Sequence, residues 1–154
     1  MSTVETSIRR LTYADLPQVV AIERRAFPTP WSLAMFVLEL SKPGGICLAA
    51  TGPDGQLTGY VICSRYDVVW HVMNVSVDPA HRRRGIASCL LRELLDRVGE
   101  DAKLTLEVRR SNAGAIALYE GFGFFSAGIR PRYYQDNGED AEIMWLTPDG
   151  LPAL

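Results

Sequence analysis

Apolar residues recur along this chain at two spacings. Between Tyr13 and Ala26 they fall at Leu16, Val19, Val20 and Ile22, the three-and-four step that lays one face of a helix on a core. Thr12 stands at its head as a cap, and Asp15 lies in its first turn, where a negative charge suits the helix dipole. Phe27-Pro28-Thr29-Pro30-Trp31 breaks that helix. Ser32 can cap a second one from Leu33 to Leu40, which Pro43-Gly44-Gly45 ends.

From Ile46 the pattern turns to that of strands. One strand is predicted over Ile46 to Ala50, and the turn signal Pro53-Asp54-Gly55 leads into another over Leu57 to Tyr66. A third covers Val68 to Val77. A helix follows from about Arg84 to Val98, with Ile86, Leu90, Leu91, Leu94, Leu95 and Val98 on one side and Gly99 at its close. Leu104, Leu106 and Val108 then alternate with Thr105, Glu107 and Arg109, a strand with two different faces. Ser111 to Phe122 reads as a helix, and Phe124 to Ile129 and Ala141 to Leu146 as strands. With a short opening strand, the order is strand, helix, helix, three strands, helix, strand, helix, two strands. An antiparallel meander followed by strand–helix–strand crossovers predicts an α/β fold with a mixed sheet covered by helices.

Composition narrows the class. A chain of 154 residues fits a single domain with one core. A net charge of −2 argues against a general nucleic-acid binder, which carries a basic surplus. Cys47, Cys63 and Cys89 are odd in number and lack metal-ligand spacing, so they read as small core residues of a reducing compartment. Met1 to Arg10 holds no apolar run of the kind a signal peptide has, and no stretch approaches the ~20 apolar residues of a membrane span. A cytoplasmic protein with no membrane partner is expected. His71 and His81 have no companion at metal-ligand spacing and read as structural or surface residues, and no metal is expected.

The run Asn74-Val75-Ser76-Val77-Asp78-Pro79-Ala80-His81-Arg82-Arg83-Arg84-Gly85-Ile86-Ala87-Ser88 carries the most chemistry. It reads as a strand, a sharp turn at Asp78-Pro79, and a basic, small-residue entry into a helix. Such an entry offers unpaired N–H groups and the positive end of the dipole to a phosphate or pyrophosphate. Taken alone, it can equally be a solvated basic turn that caps a helix. Glu107 is a carboxylate in mid-strand, which needs a use or a partner; either a catalytic role or an ion pair with an arginine satisfies that. Tyr119 can donate a proton or simply pack as a core aromatic, and Asn112 can simply cap its helix.

The motif Arg82-x-x-Gly85-x-Ala87 resembles the acetyl-CoA-dependent GNAT superfamily of N-acetyltransferases. Leu104-Thr105-Leu106-Glu107-Val108-Arg109, Ser111-Asn112, Ala115-Ile116-Ala117-Leu118-Tyr119-Glu120 and Gly121-Phe122 are similar to its RimI branch, the ribosomal-protein-alanine N-acetyltransferases. Ile22-Glu23-Arg24-Arg25-Ala26-Phe27 with Pro30-Trp31-Ser32, Arg130-Pro131-Arg132-Tyr133-Tyr134 and Gly138-Glu139-Asp140-Ala141 extend that likeness to both ends. The resemblance implies a GNAT-like mixed, mostly antiparallel sheet flanked by helices, over residue 7 to about 147. It implies Glu107 as proton acceptor for the amine and Tyr119 as proton donor to the coenzyme A sulfur. Val75, Ser76 and Val77 would offer backbone groups to the acetyl-pantetheine arm, from a strand that splays away from the Glu107 strand. Arg83, Arg84, Gly85, Ile86, Ala87 and Ser88 would cradle the pyrophosphate, and Asn112 would touch the same ligand.

The implied reaction is direct attack in a ternary complex, acetylating the N-terminal α-amine of a protein, the alanine of a small-subunit ribosomal protein. Other acceptors within the same family are internal lysines or a small-molecule amine, and a non-catalytic acyl-CoA-sensing domain is the reading from another class. Trp31, Tyr133 and Tyr134 either line an acceptor groove or pack as core and lid. Two positions depart from the family pattern. Ala87 stands for a glycine, and Gly114 stands for an alanine at up to ~1 kcal/mol of helix propensity.

Overall fold

The computed structural model describes residues 5–149. Its elements are β1 (Ser7–Arg10), α1 (Leu16–Ala26), α2 (Leu33–Ser41), β2 (Ile46–Thr51), β3 (Leu57–Tyr66), β4 (Val69–Val77), α3 (Ile86–Val98), β5 (Lys103–Arg109), α4 (Ala113–Gly121), β6 (Phe125–Arg130) and β7 (Ala141–Leu146). Single 3-10 turns at Tyr13–Asp15 and Pro79–His81 precede α1 and α3. The strands form one sheet in the order β1-β2-β3-β4-β5-β7-β6. β1–β2, β2–β3, β5–β7 and β6–β7 pair antiparallel and β4–β5 parallel, which is the mixed, mostly antiparallel α/β architecture the sequence implies.

The chain divides into two compact units that interleave in sequence. Among the described residues, one holds those up to Ser64 together with Asn74–Arg97; the other holds Arg65–Met73 and those from Val98 onward. In the first, Leu48, Ala49, Ala50, Tyr60, Val61 and Ile62 of the β2–β3 hairpin are fully buried, as are Val19, Ile22, Phe36, Leu90, Leu91 and Leu94 from the helices. Every residue from Leu57 to Ser64 is buried, so β3 reads as a continuous run because both its faces are covered. Gly59 is the close-approach point. A side chain there would meet the Ser76 carbonyl oxygen at 2.8 Å and Ile86 and Leu90 at 3.3 Å, so its bareness lets β3 lie under the start of α3.

The helix starts are fixed locally. Asp15 accepts from the Thr12 backbone N–H at 2.8 Å, and Arg9 grips both its oxygens at 2.8 Å. Ser32 Oγ accepts from Met35 N–H, as a cap should. The segment predicted as one helix from Tyr13 begins as a 3-10 turn because Pro17 takes the first turn of α1, where its missing N–H is no loss. α3 begins at Ile86, two residues after the predicted start. Arg83 at φ 65° and Gly85 at φ 75° are left-handed and cannot belong to the helix.

In the second unit, Leu104, Leu106 and Val108 of β5 are buried, and Thr105, Glu107 and Arg109 show the opposite, half-open face. β5 pairs with β7 from Leu104↔Leu146 to Arg109↔Ala141, with Glu107 opposite Ile143. Its parallel pairing with β4 covers Val69–His71 against Lys103–Thr105, stopping short of Glu107.

Candidate active site

One group of candidate residues, in the first unit, is built around the turn between β4 and α3. Asp78 stops the strand and accepts from Ala80 N–H at 3.2 Å, while Arg25 at the end of α1 pairs with it at 2.8 Å. Burial works against the Asp78 charge, yet Arg25 and the Ala80 N–H hold its pKa below the usual carboxylate value. The corner is thus fixed as an ion pair. Asn74 and Ser76 turn their buried side chains to one face of β4, where Asn74 Nδ2 donates to Glu23 Oε1 at 3.0 Å. Glu23 also accepts from the Tyr60 hydroxyl and, at 2.9 Å, from Trp31 N–H. A single buried carboxylate therefore ties together β3, β4 and the Pro30-Trp31 segment.

Beyond Asp78 the backbone turns left-handed at Arg83 and again at Gly85. The first helical bond of α3 runs from Cys89 N–H to the Gly85 carbonyl at 3.0 Å. The N–H groups of Gly85, Ile86, Ala87 and Ser88 consequently lie outside the ladder, at the positive end of the dipole. Nothing lies within 4 Å of where a Gly85 side chain would be, so the cradle is open. Arg84 Nη1 lies 3.1 Å from His81 Nδ1, whose Nε2 lies 3.3 Å from Gln56 Nε2. An arginine can only donate, so Nδ1 is the acceptor in the Arg84 contact. These features fit a diphosphate: orphan donors, an absent side chain and a cationic rim. A strained non-glycine residue in the same turn points to function.

A second group, in the other unit, lies on β5, α4 and the segment between β6 and β7. Glu107 Oε1 is 2.8 Å from His71 Nε2, and its side chain is only 12% exposed. The His71 hydrogen bond, opposed by burial and helped by the charges of His71 and Arg130, holds Glu107 below the ordinary carboxylate pKa. An ionised carboxylate can only accept, so Nε2 carries the hydrogen between them. Tyr133 and Tyr134 stand edge to face with centroids 5.0 Å apart. Burial raises both phenols, Tyr134 to about 12, and the charge of Glu107 raises each further. Tyr119 is buried on α4, edge-on to Phe124 at 5.6 Å, and burial with help from Tyr134 lifts it to about 12. At neutral pH this unit therefore presents an ionised Glu107 and a protonated Tyr119. Asn112 caps α4, its Oδ1 accepting from Ala115 N–H at 3.1 Å, which leaves its amide nitrogen as the part that can reach a ligand.

Residues 16–124 match the acetyltransferase (GNAT) family. The chain belongs to the GNAT family, in its RimI branch. It is 39% identical to the [ribosomal protein bS18]-alanine N-acetyltransferase of Escherichia coli K12 over 145 residues, covering 91% of this chain and 96% of that one. It is 38% identical to N-alpha-acetyltransferase RimI of Mycobacterium tuberculosis, covering 92% of each. The crystal structure of the ribosomal-protein-S18-alanine N-acetyltransferase from Escherichia coli superposes with a TM-score of 0.85 at 38% identity, over 93% of this chain and 94% of that one.

On this GNAT scaffold the residues singled out in sequence are divided between the two units. Val75, Ser76 and Val77 at the end of β4 and Arg83 to Ser88 leading into α3 lie in the first; Glu107, Asn112 and Tyr119 lie in the second. His71 went unrecognised as a functional candidate in sequence and is the direct partner of Glu107. The available signal was its place on the strand preceding the arginine motif, one strand over from Glu107, and no spacing rule encodes such a neighbour. Arg109 was likewise unmarked and holds Asp136 and Glu139. No helix of the described residues is long and apolar enough to cross a membrane, and the described residues hold no cluster of metal-ligating side chains.

Proposed function

We propose that this chain transfers the acetyl group of acetyl-CoA to the free α-amine at the N-terminus of a protein. The acceptor is the kind its bacterial relatives are named for, a ribosomal protein beginning with alanine. The observation that carries the reading is the state of the Glu107 site. A carboxylate held ionised beside His71, Arg130, Tyr133 and Tyr134 suits an ammonium group, which it attracts and relieves of a proton. A tyrosine held protonated in the same unit suits a departing thiolate.

The orphan N–H groups of Gly85 to Ser88, with Arg83 and Arg84, hold the pyrophosphate of the donor, and Val75 to Val77 offer backbone groups to its arm. The amine nitrogen forms a bond to the acetyl carbon as the carbon–sulfur bond breaks. Its proton leaves through Glu107, and Tyr119 gives its own to the sulfur. An α-amine of pKa about 7.7–8.0 keeps a sizeable neutral minority at physiological pH, so a carboxylate kept well below that value still suffices as a relay. None of the three cysteines takes part; burial pushes the Cys47 thiol to about 11 and Cys63 to about 12, away from nucleophilic thiolate.

Incubation with acetyl-CoA and two peptides, read by mass spectrometry, tests this. One peptide begins with a free alanine; the other has a blocked N-terminus and an internal lysine. One acetyl group on the first alone is the expected result. Transfer to the lysine peptide alone would replace the α-amine reading with a lysine one, and no transfer to either would remove the peptide acceptor.

A further inference from the structure

The guanidinium of Arg109 is the most heavily engaged cation in its unit, and it lies on the same strand face as Glu107, two residues on. Nη2 meets Asp136 at 2.8 Å, and Nη1 meets Glu139 and Asn137 at 3.3 Å. Its Cζ lies over the Tyr134 ring, 4.1 Å from the centroid. Glu139 in turn accepts from Ser111 N–H at 2.7 Å, at the head of the turn that Asn112 continues into α4. Its pKa falls below the usual value chiefly through those Ser111 hydrogen bonds, with Arg109 and Asn137 adding to them.

The segment it holds is tightly built. Tyr134 N–H donates to the Glu139 carbonyl at 3.1 Å, Gly138 N–H to the Tyr134 carbonyl at 2.8 Å, and Arg132 N–H to Asp140 Oδ1 at 3.0 Å. Arg132 at φ 51° and Gly138 at φ 71° are both left-handed. A non-glycine residue keeps that conformation only when its surroundings impose it. The Arg109 side chain is 23% exposed, against 21% for Asp136 and 16% for Glu139. A planar fork that both bridges two acids and lies over a ring is work lysine cannot do.

We propose that Arg109 is a positioning residue for the acceptor. It fixes residues 131–140 so that Tyr133 and Tyr134 stand beside Glu107, where they recognise the incoming amine and its first residue. Arg109 touches neither substrate nor reacting atoms; it acts through Tyr134 and through the Glu139–Ser111 link. The inference rests on the α-amine reading above, and its test separates the two.

The test compares wild type with Arg109→Lys, Glu139→Gln and the double variant. Hydrogen exchange of residues 131–140 is read by mass spectrometry, alongside steady-state kinetics with the alanine peptide and acetyl-CoA. Each single variant should speed exchange of that segment severalfold and leave the rest unchanged. Each should raise KM for the peptide at least tenfold, with kcat and the Kd for acetyl-CoA within about twofold, and the double variant should be no worse than the poorer single one. Glu139→Gln keeps the volume of the side chain and so remains informative if the arginine variant folds poorly. Unchanged exchange of the segment, or a loss carried by kcat with KM intact, would overturn the proposal. If the wild type acetylates no peptide, the α-amine reading fails, and the exchange arm alone decides the clamp.

Discussion

His71 Nε2 stands 2.8 Å from Glu107 Oε1, one strand over on the sheet. That contact turns a lone mid-strand carboxylate into a hydrogen-bonded pair with a defined charge. Because the pair acts as a unit, Glu107→Gln should lower kcat/KM by about 10²–10³-fold, within the range for a lost proton acceptor. His71→Ala should lower it by about tenfold, and the double variant should match Glu107→Gln alone. Steady-state kinetics across the cycle decide it. Multiplied losses would show two independent roles.

The pH dependence has a definite sign. Glu107 sits below the ordinary carboxylate value, so it is already ionised throughout pH 6–9 and contributes no limb there. The rise of kcat/KM with pH in the wild type should follow the peptide's own α-amine, near pH 7.7–8.0. A peptide whose α-amine titrates lower should shift the limb by the same amount; an immobile limb would place the titrating group on the protein.

Tyr119 packs on Phe124 through its ring and offers only its hydroxyl to chemistry. Tyr119→Phe should therefore cut kcat about 100-fold, as for loss of a general acid, with the Kd for acetyl-CoA and the melting temperature nearly unchanged. Equal losses of kcat and donor affinity would make the hydroxyl a binding group.

Arg83 carries its cradle role at a conformational cost. At φ 65° an arginine is disfavoured by about 1–2 kcal/mol, part of which glycine returns in its more flexible unfolded chain. Arg83→Gly should thus be neutral to stabilising in thermal melts while weakening acetyl-CoA binding about tenfold or more, the scale of one lost charge-assisted hydrogen bond. Loss of stability with affinity intact would make the left-handed turn a folding device with no ligand role.

The opening of the fold depends on acid–base state as well. The Arg9 hydrogen bonds, opposed by burial and supported by Thr12, hold Asp15 at about 2. A depressed carboxylate adds stability above its unfolded value, and that contribution fades as pH falls from about 4 toward 2. Arg9 is 44% exposed, so solvent screening leaves about 1–2 kcal/mol. Asp15→Asn should lose that much at pH 7 and progressively less below pH 4 in denaturant titrations. A constant deficit across pH would assign the loss to the Thr12 cap instead.

The patterns that the sequence by itself determined are those set by neighbours along the chain. Apolar patterning and turn signals placed the helices and the strands after β1 within a few residues. Asp78-Pro79, the arginines and Gly85 marked the ligand turn, and the motifs around Glu107 and Tyr119 named the family. Caps, turns and amphipathic faces arise from interactions over four residues or fewer, so spacing records them. Where α3 starts is less legible, because the left-handed state of Arg83 is a choice made by the packed turn. The partners of the functional groups were decided by the tertiary structure alone. His71 meets Glu107 across 36 residues of sequence, Arg109 meets Glu139 across 30, and Asn74 meets Glu23 across 51. Which side chains share a sheet face or close a loop depends on strand order and register. Those follow from burying the whole core at once, so the charge on Glu107 and the placing of Tyr134 exist only in the folded chain.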